Sequence, residues 1–183
     1  IEALQSSDHY VRESAAQALE MLGDQAAIPA LVGLLEGGVA AAQQVPGKPH
    51  LTQPYEAIIE ALGSLKAVEA IPVIEPFLEH FREKIQYAAA RALYQLTGDE
   101  NYGERLVREL QRDELQLRRA VLFDLGMIGY LGAAEAIAET LAENSLKLIA
   151  LKGVLEKHLE THPLELGLSD DSIRIMGLMD GLL

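Results

Sequence analysis

The apolar positions of this chain recur with helical rather than strand spacing. Val11, Ala15, Ala18, Leu19 and Leu22 fall on one side of a helical wheel, while Glu13, Ala16, Gln17 and Glu20 point the other way. Gly23-Asp24 then predicts a helix stop, because glycine accepts the left-handed conformation needed just past a helix end. Pro29 fits the first turn of a second helix, which would turn Leu31, Leu34 and Leu35 inward.

The pattern returns along the chain. A shift of 43 residues brings Ala61-Leu62, Leu65, Ala70-Ile71-Pro72 and Phe77-Leu78 onto matching positions. A further 31 aligns Ile85, Ala89-Ala90, Ala92-Leu93 and Leu96, and a further 32 aligns Leu117-Arg118, Val121-Leu122, Leu125 and Ile128-Gly129. Leu146 to Leu159 forms a weaker fifth copy. One helix pair cannot bury its own apolar stripe, whereas stacked pairs share a continuous core. The prediction is an all-α superhelix of about four to five helix-pair repeats, a single domain over 1–183. The longer first shift reflects an inserted loop at 37–54 with three prolines. Ile1 to Leu4 looks like the last turn of an earlier pair, so an N-terminal truncation is expected. Ser169-Asp170-Asp171 predicts a capped helix over about 170–183, with Ile173, Met176 and Met179 on one face, to cap the array or dock a partner.

Composition narrows the function. A net charge of −13 argues against nucleic acid, which needs a basic surface, and no apolar run is long enough for membrane insertion. With no Cys there is no disulfide, thiolate metal site or cysteine nucleophile, and a cytoplasmic location is the simplest expectation. Phosphate-binding glycine loops and nucleophile elbows are missing from the sequence. His158 and His162 lie four apart without an obvious third ligand, and His9, His50 and His80 are isolated and expected at the surface, so no metal site is predicted.

Departures from the repeat are where function can be written. In the third copy the outward positions hold Tyr87, Ala90, Arg91 and Tyr94, and in the fourth Arg119, Leu122, Phe123 and Gly126. Rings and guanidinium groups on an inner wall suit a flat, conjugated ligand carrying carboxylates, or a partner protein's anchor; packing against a neighbouring repeat is the plainer alternative. Asp124 stands where the other copies carry Ala18, Ala61 and Ala92. A carboxylate on the core side needs a partner, and Arg91, Arg118 and Arg119 are candidates.

Longer strings carry a resemblance. Tyr55-Glu56-Ala57-Ile58, the run Gln86-Tyr87-Ala88-Ala89-Ala90-Arg91-Ala92-Leu93-Tyr94-Gln95, the run Leu117-Arg118-Arg119-Ala120-Val121-Leu122-Phe123-Asp124, and Asn144-Ser145-Leu146-Lys147-Leu148-Ile149 are similar to the phycobilin lyase HEAT-like repeat family. Within it they most resemble the E-type subunits of the heterodimeric E/F lyases, over almost the whole chain. The resemblance implies a HEAT-like repeat solenoid and an F-type lyase subunit as heterodimer partner. It implies phycocyanobilin as a non-covalently held substrate, with no tightly bound cofactor, and the phycocyanin α subunit as acceptor. The reaction implied is addition of an acceptor cysteine thiol to the bilin, forming a thioether. Under that resemblance Arg91, Arg118 and Arg119 become candidate propionate clamps, Tyr87, Tyr94 and Phe123 candidate stacking rings, and Asp124 the candidate catalytic acid. A non-catalytic phycobilisome adaptor and the E-type subunit of a phycoerythrocyanin lyase-isomerase are the alternatives.

Overall fold

The computed structural model describes residues 1–163 and 167–183. Contacts divide the chain into two compact units, Ile1–Gly98 and Asp99–Leu183, where the sequence pattern suggested one array. Each unit is built of helix pairs, and the described residues hold one isolated antiparallel bridge, Gln44 to Leu51, as their β structure.

In the first unit, α1 (His9–Leu22) starts where the Asp8 carboxylate accepts from the backbone N–H of Tyr10 at 2.8 Å. It ends at Gly23, whose φ of +64° is left-handed as the sequence predicts. A 3₁₀ turn and α2 (Ile28–Gly33) follow, with Pro29 in the first turn and Leu31 and Leu35 buried. The predicted inward stripe of α1 is only partly right. Ala16 and Leu19 are buried, but Val11 and Leu22 are exposed, Leu22 at 78%. The helix turns its Ala16–Leu19–Glu20 side to α4 (Tyr55–Ser64), where Ser64 Oγ donates to Glu20 at 2.6 Å.

The inserted segment is folded rather than loose. It carries α3 (Gly38–Ala41) and buries Ala42 and Leu51. Arg12 ties it to α1, donating from Nε to Gln53 at 2.8 Å and from Nη2 to the Thr52 carbonyl at 2.9 Å. His9 and His50 stack with ring centroids 4.1 Å apart, so these two are paired rather than isolated. His80 is fully buried, contrary to its expected surface position, because its ring lies among Phe77 and Phe81. α5 (Ile71–Ile74) leads to α6 (Glu83–Thr97), which packs on α4 through Gly63 and Ala92.

The second unit comprises α7 (Glu100–Glu109), α8 (Leu115–Ile128), α9 (Ala134–Glu139), α10 (Asn144–Thr161) and α11 (Asp170–Asp180). α8 stops at Gly129, where φ is +68° and a Cβ would strike Lys157 at 2.2 Å, so glycine is required twice over. Lys147 is buried on α10 and donates to the Ala138 carbonyl at 3.0 Å, closing the end of α9. α11 begins at Ser169, whose Oγ accepts from the Ser172 N–H at 3.1 Å, and is held to α9 by Arg174 on Glu135 at 2.6 Å. Leu125, Ile137, Leu151 and Val154 form the core between these helices. No helix among the described residues is long and apolar enough to cross a membrane.

Candidate ligand groove

Helices α8 and α10 meet through their smallest residues. A Cβ added to Gly153 would lie 2.5 Å from the Gly126 carbonyl oxygen, and one added to Gly126 would lie 3.0 Å from the Ala150 Cα. The two backbones are therefore in contact, and the larger side chains one turn away stand up beside the crossing. Between them lies a groove of about 290 Å³. α8 lines it with Arg119, Phe123 and Met127, and α10 with Ile149, Lys152 and Glu156. Phe123 and Ile149 are 60% and 61% exposed, so two large apolar groups face water on opposite helices.

The charged groups in this groove are already paired. Arg119 Nε donates to Glu143 Oε2 at 3.2 Å and its Nη2 donates to Oε1, a bidentate clamp. The Arg119 hydrogen bond holds the Glu143 carboxyl below the usual carboxylate range. Lys152 Nζ donates to Glu156 Oε1 at 2.8 Å one turn along α10. Both pairs are exposed to solvent, where such ties are weak and exchangeable.

Of the residues singled out from the sequence, the groove brings together the four outward positions of the fourth copy, Arg119, Leu122, Phe123 and Gly126. Arg118 turns away from it. Its Nε donates to the Leu141 carbonyl at 3.0 Å and its Nη1 to that of Arg112, so it ties the segments that follow α9 and α7 to α8. Asp124 is on the core side as expected, 8% exposed and engaged by interactions of its own, and does not line the groove. Tyr87, Arg91 and Tyr94 lie on α6 in the other unit. Tyr87 and Arg91 are 4% exposed, not on an open wall, and Tyr94 is half-buried. Arg91 Nη1 donates to Glu60 of α4 at 3.2 Å, and Nη2 lies 3.9 Å from Glu20 of α1.

Leu146, Ile149, Lys152 and Gly153 are groove residues that the sequence pattern did not pick out. α10 is the weak fifth copy, and its buried Lys147 interrupts the helical stripe. The signal that could have found them is the glycine inside each of two successive first helices, Gly126 and Gly153, since an interior glycine marks close packing.

Comparison with known proteins agrees with this architecture. The PBS lyase HEAT-like repeat profile matches residues 11–37. Phycocyanobilin lyase subunit alpha of Nostoc sp. (strain PCC 7120) is 60% identical over 183 residues, covering 100% of this chain and 66% of that protein. Its counterpart in Picosynechococcus sp. (strain ATCC 27264) is also 60% identical, over 100% of this chain and 68% of its own length. The structure of the complex of CpcE and CpcF of phycocyanin lyase from Nostoc sp. PCC7120 superposes with a TM-score of 0.90 at 59% identity, covering 100% of this chain and 66% of the matched one. The chain thus spans about two thirds of the length of the relatives it matches. The all-α HEAT-like repeat solenoid expected from the sequence is the fold found. With this identity maintained from end to end, the chain belongs to the phycocyanobilin lyase alpha-subunit family.

Proposed function

We propose that this chain serves in a heterodimeric bilin lyase, holding phycocyanobilin without a covalent bond and presenting it to a cysteine of the phycocyanin α subunit. An F-type subunit is its partner in this role, and the site of action is the cytoplasm. The observation that carries the proposal is the identity of 60% over all 183 residues to proteins named phycocyanobilin lyase subunit alpha. Because the chain has no cysteine, it cannot carry the bilin as its own thioether, and it must hold the pigment by apolar contact and ion pairs.

The groove between α8 and α10 supports that role chemically. Phe123 and Ile149 offer apolar faces to a conjugated plane, and Arg119 offers a bidentate donor to a propionate. In the attachment step, the acceptor thiol adds across the ring A ethylidene of the bilin. A carbon–sulfur bond forms, the thiol proton ends on the ring, and nothing leaves. A bilin held still beside the thiol lowers the entropic part of that barrier. Asp124 does not line the groove, so its proposed part as proton source needs its own test. Asp124→Asn should slow attachment and leave bilin binding unchanged if the carboxyl supplies a proton.

The test is reconstitution. The chain, its F-type partner, phycocyanobilin and apo-phycocyanin α subunit are mixed, and the product is denatured. A coloured acceptor that survives denaturation, formed only when this chain is present, is the expected result. Tight partner binding with colour that washes out on denaturation would favour a non-catalytic adaptor.

A further inference from the structure

Both cations in the α8–α10 groove are closed by carboxylates of the chain itself, and one of these has a second place to go. Glu143 occupies the N-cap position of α10, with φ −64° and ψ 135°, yet its side chain makes no capping hydrogen bond. Its carboxylate turns to Arg119 instead. No N–H of the first turn of α10 donates to the Glu143 side chain, although a helix N-terminus favours a negative charge. Glu143 can therefore leave Arg119 without becoming a stranded anion.

We propose that Glu143 is a specificity-determining placeholder, a carboxylate that occupies Arg119 until a carboxylate of the incoming ligand replaces it. The claim rests on the groove being the bilin site. On exchange, the ligand carboxylate takes the bidentate position on the Arg119 guanidinium and Glu143 swings toward the α10 N-terminus. Glu156 stands in the same relation to Lys152, 2.8 Å away, so a ligand bearing two carboxylates meets two exchangeable pairs. The device selects against apolar ligands without acids, because these would fill the groove but gain nothing at Arg119. It also keeps an otherwise bare guanidinium from collecting stray anions.

The experiment compares phycocyanobilin with its dimethyl ester, whose propionates carry no charge, by absorbance titration into the full chain. Exposed ion pairs set the scale of the effect. Glu143→Gln should tighten the diacid by about two- to five-fold and leave the ester unchanged. Arg119→Gln should weaken the diacid by several-fold and abolish its advantage over the ester. Phe123→Ala should weaken both ligands equally, which places them in the groove. If Phe123→Ala weakens both but Glu143→Gln leaves the diacid-to-ester ratio as it was, the placeholder is overturned and the groove reading stands. If Phe123→Ala changes neither ligand, the groove is not the site and both fall. All three side chains are at least a third exposed, so none of these substitutions threatens folding.

Discussion

Gly153 of α10 rests against the carbonyl of Gly126 on α8 so closely that a methyl group on Gly153 would lie 2.5 Å from that oxygen. Backbone cannot give way as a side chain can, so Gly153→Ala must push the helices apart. Overpacking of this kind costs roughly 1–3 kcal/mol. The thermal midpoint should fall by about 2–4 °C for each kcal/mol lost. Gly177 of α11 is the contrast, with nothing within 4 Å of its added Cβ. Gly177→Ala should raise the midpoint slightly, since alanine is the better helix former. A melt followed by circular dichroism separates the two signs.

Arg91 is a structural residue in this account. It is nearly buried between Glu60 and Glu20, which retain 23% and 22% exposure. Removing one partner of a buried ion pair costs roughly 3–5 kcal/mol, and the residual exposure of the acids puts Arg91→Met near the lower end. The urea midpoint should drop accordingly. Bilin affinity measured well below that midpoint should stay within two-fold.

Adjacent arginines should behave oppositely. Arg118 donates to main-chain carbonyls near the surface, so Arg118→Ala removes two solvent-exposed hydrogen bonds and should cost about 0.5–1.5 kcal/mol of stability without weakening bilin binding. Arg119→Ala breaks an exposed pair, and should weaken bilin binding while the urea midpoint moves little. Paired denaturation and titration curves check this split.

His80 makes the chain acid-sensitive. Burial pushes its pKa below the ordinary histidine value of 6.5, and its Nδ1 accepts the Arg82 N–H at 3.0 Å, which requires the neutral ring. His9 is lowered in the same sense, first by burial and then by the stacked His50. The unfolded chain takes up these protons first. Stability is therefore whole above about pH 6.5 and declines as the pH falls from there toward the lowered folded values. The Glu135 carboxyl, lowered by the Arg174 hydrogen bond, adds a second loss that begins near its ordinary value of 4.5. Urea midpoints between pH 7.5 and 5 should fall for the natural chain, and fall less for His80→Gln.

Much of the fold was legible because its signals are local. Gly23 and Gly129 end helices as left-handed residues, and Pro29 opens one, each for backbone reasons that need no neighbour. The faces were less legible. A wheel drawn on α1 or α6 orders side chains by angle but does not say which side a neighbouring helix will take, and so Ala16, Tyr87 and Arg91, outward on the wheel, are buried in the fold. Arg119 and Phe123 were found because α8 shows its pattern plainly. Ile149 and Gly153 were not, because the groove depends on a contact between two helices that neither sequence segment displays alone.

The central claim is that the α8–α10 groove holds the bilin, and one titration tests it most directly. Phycocyanobilin is added to the natural chain and to the double variant Phe123→Ala/Ile149→Ala, with binding followed by absorbance. Both side chains are about 60% exposed, so the variant should fold. Losing two large apolar contacts should weaken binding by about ten-fold or more. An affinity unchanged from that of the natural chain would contradict the account.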